Sequence, residues 1–352
     1  MSPAGSPAPA LAGVRVLDMA SLYAAPLIAT LLADHGADVV KVEPPAGDTY
    51  RSWPAMWALV GRGKRSLVLD LGVEADRERL RGIIPQFDVV IENLPRPLAE
   101  RRALTPEALR AIKPSLVVVS ATGFGHDGEL AEHPANGTIG EAFAGLTGLT
   151  GDHLGQPMLP SVPLGDALAA AFGAMGALAA VVRQLHTGEG AYVDVSVYEP
   201  VLHALGPVLP GYQPGVTTVP TRDGGSMGVP LRGTFETSDA QWVAISCSTP
   251  RHTDAVAELV AGDPALPLRR RAADWISGGT RDEVLQALVA ARVPVTAVND
   301  LRDVAGDPHV VGRGSLRRVD GLTVAAPTPR IDGDPVGTWL PTIGDANEAL
   351  LG

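Results

Sequence analysis

Short β-rich runs alternate with helix-like stretches through the first half of this chain, and that alternation limits the fold more than any other feature. Val14–Leu17 and Asp38–Val42 flank a helical stretch from about Pro26 to Asp34. Ser66–Asp70, Val89–Ile91 and Leu116–Ser120 follow as further strands, with a polar amphipathic helix around Ala75–Ile84 among them. Thr105-Pro106-Glu107 supplies a cap, a first-turn proline and an acid, which predicts a helix to about Ile112. Buried strands separated by helices run in one direction, so the pattern predicts an α/β protein with a parallel, doubly wound sheet.

A long apolar helix is expected from about Asp166 to His186, stopped by Gly188. Ala191–Val197 alternates like a strand, and a helix follows near Tyr198–Leu205. Residues 206–233 are thick with Pro and Gly and mark a linker. A second region begins at Thr234, with a strand at Trp242–Ser246 and helices at about 251–261 and 281–291. A Gly344-Asp345 capping signal precedes a short helix in the tail.

Hydrophobic residues make up 45% of the 352 positions and charged residues 19%, enough for a sizeable core. The formal net charge is −11 and no basic stripe occurs, which argues against nucleic acid as a partner. An anionic ligand would need a local cluster of Arg, Lys or helix ends. Cys247 is the single cysteine, so no internal disulfide can form and a reducing, cytoplasmic setting is expected. It reads as a small buried hydrophobe. Met1–Ala12 has neither the basic start nor the apolar core of a signal peptide. The uncharged run Ala167–Val182, mostly Ala and Gly, is too short and weakly apolar to span a bilayer, so it predicts a buried helix and no membrane partner. The eight histidines show no metal-ligand spacing, and no metal site is expected.

Asp166 stands out as the only charged residue between His153 and Arg183. It sits where Pro163-Leu164-Gly165 hands over to a helix apolar on nearly every face, and such a helix is expected to be buried. The helix dipole would keep a carboxylate ionised there, and an ionised, partly desolvated carboxylate can attack an activated carbonyl. Asp is equally a favoured N-cap, so a plain cap stands beside the nucleophile at this point.

Gly123-Phe-Gly125-His-Asp-Gly128 matches a dinucleotide fingerprint literally, but no long helix or acid-ended strand follows in the required places. His126 and Asp127 in that loop are either an acid–base pair or solvated loop positions. Arg62-Gly-Lys64-Arg65 and the trio Arg96, Arg101 and Arg102 lie near strand ends, where phosphate contact and plain solvent exposure both remain open.

Several segments together resemble the class III CoA-transferases, the CaiB/BaiF group. They are Leu17-Asp18, Ala25-Pro26, the run from Leu32 to Pro44, Gly47-Asp48, Gly63-Lys64-Arg65-Ser66, Leu69-Asp70, Glu92-Asn93-Leu94 and Ser120 through Gly125. Gly188 to Ser196, Asp307-Pro308-His309 and Pro341 to Gly344 continue the likeness in order to the end of the chain. The resemblance implies a large Rossmann-like CoA-binding domain at 1–205, completed by 326–352. It implies a linker with a glycine loop at 206–233, a small α/β domain at 234–325, and a homodimer of interlocked rings. It further implies that Asp166 attacks an acyl-CoA to give a mixed anhydride, then an aspartyl-CoA thioester from which a carboxylic acid collects CoA.

By the same resemblance Leu22, Tyr23, Leu69, Asn93, Leu94 and Arg101 contact CoA, and Gly224, Gly225 and Gly228 belong to a loop that covers the intermediate. Coenzyme A is then substrate and product, with no tightly bound cofactor. The departures are specific. Ala135-Asn136 stands where the racemase branch carries a His-Asp pair of bases, which disfavours racemisation. Tyr23 and Glu141 each stand where relatives often carry Gln, and a Lys near Gly72 is missing. The alternatives to CoA transfer are acyl-CoA isomerisation and a catalytically silent CoA-binding partner protein.

Overall fold

The computed structural model describes residues 7–151, 155–216, 229–260, 262–332 and 339–351. The chain divides into two compact units, one comprising Met1–Ala144, Pro160–Ala204 and His309–Gly352, the other Gly145–Leu159 and Leu205–Pro308. In the first unit six parallel strands form one sheet: β1 (Arg15–Asp18), β2 (Asp38–Glu43), β3 (Lys64–Val68), β4 (Val89–Glu92), β5 (Val117–Thr122) and β6 (Tyr192–Ser196). Their order is β3-β2-β1-β4-β5-β6, so the chain reverses its direction of travel across the sheet between β1 and β4. Both faces are dry. Val16, Val39, Ile91 and Val119 point to one apolar layer, Leu17, Val40, Val90 and Val118 to the other, as the two-residue period of a strand requires.

The predicted strands are all present, and β3 begins two residues earlier than expected. Lys64 and Arg65 are tolerated in it because each has an acid opposite. Lys64 Nζ lies 2.7 Å from Asp18 Oδ2 and is fully buried, and Arg65 pairs with Asp38 at 2.7 Å. Lys41 Nζ on β2 shares Asp18 at 3.6 Å and reaches Asp48 at 3.1 Å. These ammonium groups also donate to backbone, Lys41 to Ala20 O and Lys64 to Pro26 O, both at 2.7 Å. The buried ladder therefore ties the loops after β1 and β2 to the sheet. Burial pulls the Lys64 ammonium down to about 8 despite Asp18, whereas the Lys41 ammonium is raised because Asp18 and Asp48 outweigh its burial.

The long helix runs Leu164–Thr187 and is stopped by Gly188 in the left-handed region (φ 73°). Its small residues let it lie close to helix Ala24–Asp34, and a methyl on Gly173 would overlap Ile28. At 24 residues it is longer than the uncharged run alone suggested, and by length and composition it could cross a membrane. It is not buried all round. Ala169, Ala170, Ala177 and Val181 join the core, while Met175 (59% exposed), Val182 (52%) and Leu185 (76%) form an open apolar face. Composition alone could not reveal this, because Ala and Gly suit a core and an open face equally.

The tail finishes the sheet edge at β3. Asp345 Oδ1 accepts from Ser66 N (2.6 Å), Asn347 Oδ1 accepts from Val68 N (2.9 Å), and Ala346 N donates to Ser66 O (2.8 Å). Asp345 thus satisfies an edge strand whose amides would otherwise face outward.

In the second unit β7 (Leu231–Glu236), β8 (Trp242–Cys247) and β9 (Val295–Ala297) form an antiparallel sheet. Helices Pro250–Leu259, Leu268–Ile276 and Arg281–Ala290 contribute Val256, Ile276 and Leu288 to its core. Cys247 is buried in that core, as expected of a small hydrophobe.

Candidate active site

In an open parallel sheet the crevice for a ligand opens beyond the carboxyl ends of the strands, where the order reverses. Here a cavity of about 570 Å³ lies there, lined by the loop after β1 (Leu22, Tyr23), the turn after β4 (Asn93), residues beyond β5, and Asp166. Leu22, Tyr23, Asn93 and Asp166 therefore meet in one hollow although they are scattered from position 22 to 166.

Asp166 is not the N-cap of its helix. Pro163 holds that position without a side-chain bond, and Asp166 sits inside the first turn. Its Oδ2 accepts instead from the Gly137 amide at 3.2 Å, the start of helix Gly137–Phe143. Burial lifts this carboxyl to about 6; the Gly137 N–H opposes the shift and neighbouring Glu141 adds to it. The group is therefore still ionised at neutral pH but far more basic than an ordinary carboxylate, which favours attack on carbon. Glu141 is itself buried, with Oε1 accepting from Gly165 N at 2.8 Å, and so pins the turn that carries Asp166.

Gly137 was not legible as a site residue. A methyl there would overlap Asp166 Oδ2 and come within 2.8 Å of the Asp166 amide nitrogen. Gly137→Ala is therefore expected to displace the carboxylate and slow turnover by roughly 100-fold, a cost typical of misplacing a reacting group. Near wild-type kcat in steady-state assays of that variant would contradict the geometry.

The loop after β1 is strained and clasped. Leu22 adopts φ 66°, unusual for a residue with a side chain, and is 55% exposed. Asn93 holds the preceding residue from both sides: its Oδ1 accepts from Ser21 N at 3.0 Å and its Nδ2 donates to Ser21 O at 2.8 Å. Both halves of the Asn93 amide are thus engaged by backbone.

Leu69 and Leu94 line a second, smaller hollow of about 280 Å³ in the same unit, with Arg102 beside them. Arg101 is exposed on helix Arg96–Arg102 and borders neither hollow, while Arg96 borders the larger one and pairs with Glu100 at 3.1 Å. Gly224, Gly225 and Gly228 lie outside the described residues.

His126 and Asp127 part company. Asp127 is exposed, whereas the His126 ring turns inward with Nε2 3.9 Å from Glu92 Oε1 and no hydrogen-bond partner for Nε2 among the described residues. Glu92 is buried, accepts from Ser120 Oγ and Leu94 N, and has its carboxyl pushed up by burial. The cluster Arg62, Lys64 and Arg65 is taken up by carboxylates, with Arg62 and Lys64 buried and Arg65 partly exposed. Arg62 grips Asp34 through Nε (3.1 Å) and Nη2 (2.6 Å), and the other two serve β3 as described.

The family model for CoA-transferase family III matches residues 11–345. The chain is 32% identical to the succinyl-CoA–L-malate CoA-transferase beta subunit of Chloroflexus aurantiacus, over 97% of this chain and 93% of that protein. It is 34% identical to the succinyl-CoA:mesaconate CoA-transferase of Haloarcula hispanica, over 88% of this chain and 86% of the relative. Among solved structures, a CaiB/BaiF family protein from Brucella suis superposes with a TM-score of 0.86 at 26% identity, covering 98% of this chain and 99% of that one.

Proposed function

This chain belongs to CoA-transferase family III, and on that footing we propose that Asp166 carries CoA from an acyl thioester to a carboxylic acid. The observation that carries the proposal is the position of Asp166: a half-buried carboxylate with one amide donor and a carboxyl lifted to about 6, lining the hollow where the strand order reverses. Its oxygen attacks the thioester carbon, the C–S bond breaks, and CoA leaves as thiolate from a mixed anhydride. The thiolate then attacks the Asp166 carbonyl, frees the first acid and leaves an aspartyl-CoA thioester. The acceptor carboxylate repeats the sequence in reverse and restores Asp166. No proton is gained or lost on balance, which suits a site where Asn136 is engaged in capping Ile139 N and Ala135 offers no base.

CoA itself is proposed to lie along Leu22, Tyr23, Leu69 and Leu94, with Asn93 acting by holding the Ser21 loop in place and Arg101, which borders neither hollow, left out of the contact. The malate and mesaconate relatives act on dicarboxylic acids, so short dicarboxylates are the first acceptors proposed. Incubation with succinyl-CoA and hydroxylamine should then modify Asp166 alone, read by peptide mass spectrometry. An unmodified Asp166 in an actively turning-over sample would remove the mechanism. A homodimer is also proposed, supported by the open Met175, Val182 and Leu185 face; a monomer by light scattering at micromolar concentration would discard it.

A further inference from the structure

Two phenols face the larger hollow from separate loops. Tyr23 follows the strained Leu22, and Tyr50 lies in the short turn Thr49–Ser52 after β2, where Asp48 Oδ1 accepts from its amide at 2.8 Å. Both rings are fixed. They pack at the margin of the main core, and Tyr50 meets Trp53 edge-on with centroids 6.1 Å apart. Among the described residues neither hydroxyl has a hydrogen-bond partner, although both line the same hollow as Asp166. Burial, and then the negative charge of Asp166, raise both phenols above the ordinary tyrosine value. Their protons therefore stay in place at neutral pH, and a protonated phenol without a partner is a free hydrogen-bond donor.

We propose that the Tyr23 and Tyr50 hydroxyls are a donor pair for the carbonyl oxygen of the bound thioester, stabilising the negative charge that develops there as Asp166 attacks. This rests on Asp166 being the nucleophile. As the Asp166 oxygen bonds to the thioester carbon, the carbonyl π pair moves onto oxygen, and the two O–H groups hold that oxyanion. Collapse re-forms the C=O and expels sulfur with the C–S pair, and neither phenol proton is transferred. Neutral donors suit this place. Asp166 and Glu141 already bring negative charge, and a fixed O–H dipole stabilises an oxyanion without the ion pairing to Asp166 that would weaken the nucleophile.

Single-turnover mixing of Tyr23→Phe, Tyr50→Phe and the double variant with succinyl-CoA, without acceptor, tests the idea. CoA thiol release is followed with a thiol reagent, and the Asp166 adduct by hydroxylamine trapping. Each Phe variant removes only a hydroxyl without a partner, so melting temperatures should stay at the wild-type value. Adduct formation should slow by roughly 100-fold for each variant, the usual cost of one oxyanion donor, with the KM for succinyl-CoA moved less than about threefold. Wild-type adduct rates in both variants, or losses confined to KM, would overturn the donor pair while leaving the nucleophile intact. A wild-type protein that turns over without any Asp166 adduct would overturn both.

Discussion

Asp166→Asn should abolish CoA transfer while making the protein harder to melt. Loss of a covalent nucleophile removes the only route through anhydride and thioester, so kcat is expected to fall by roughly 10⁴-fold or more. Stability should move the other way. The folded carboxyl titrates at about 6, above its value of 3.8 without the fold, because burial penalises its charge. Ionised Asp166 therefore costs stability at every pH above about 6, and the cost fades as pH falls toward 3.8. Asn keeps an oxygen for the Gly137 N–H and carries no charge. At neutral pH the variant should gain roughly 1 kcal/mol, after allowing for the water that reaches this half-buried group, and melt a few degrees higher. Wild type and variant should converge as melts are repeated down to pH 4. The same titration predicts that the wild-type rate falls as pH drops through about 6. A variant that is both inactive and less stable across this range would mean that Asp166 is chiefly structural.

The second large effect concerns the buried ladder. Asp18 serves two ammonium groups, whereas among the described residues Lys64 has Asp18 alone as its close acidic partner. Asp18→Ala leaves Lys64 without a counter-charge in a fully buried place and should destabilise by about 3–5 kcal/mol, read from urea unfolding. Lys64→Met should cost distinctly less, roughly 1–2 kcal/mol, because Asp18 keeps Lys41 at 3.6 Å. Since Lys41 and Lys64 also hold Ala20 O and Pro26 O, which flank Tyr23, Asp18→Ala should raise KM for the thioester even where the protein stays folded. Equal costs for the two substitutions would show that the ladder does not work as an asymmetric unit.

The parallel sheet was legible because short apolar runs such as Val39-Val40, Val89-Val90-Ile91 and Val117-Val118-Val119 recur between helical stretches, and that signal is local. What escaped was non-local. Lys64 and Arg65 leave phosphate contact and solvent exposure both open until a partner 46 residues earlier, Asp18, brings Lys64 into the sheet. Asp166 could be a cap or a nucleophile from its own segment, and only the Gly137 amide, 29 residues before it, decides which group its oxygen meets. Tyr50 carried no signal at all, since a tyrosine in a polar turn looks like any other. The order of the motifs conveyed the family, while the geometry of the hollow depends on loops from several crossovers meeting at one end of the sheet.

The closing of β3 by Asp345, Ala346 and Asn347 has a consequence for how such a chain comes off the ribosome. All six strands of this sheet are synthesised by Ser196, yet edge strand β3 keeps raw backbone amides until residues 345–347 follow, after the whole second unit. During that interval a nascent β3 is open to partnering with a neighbour on the same polysome.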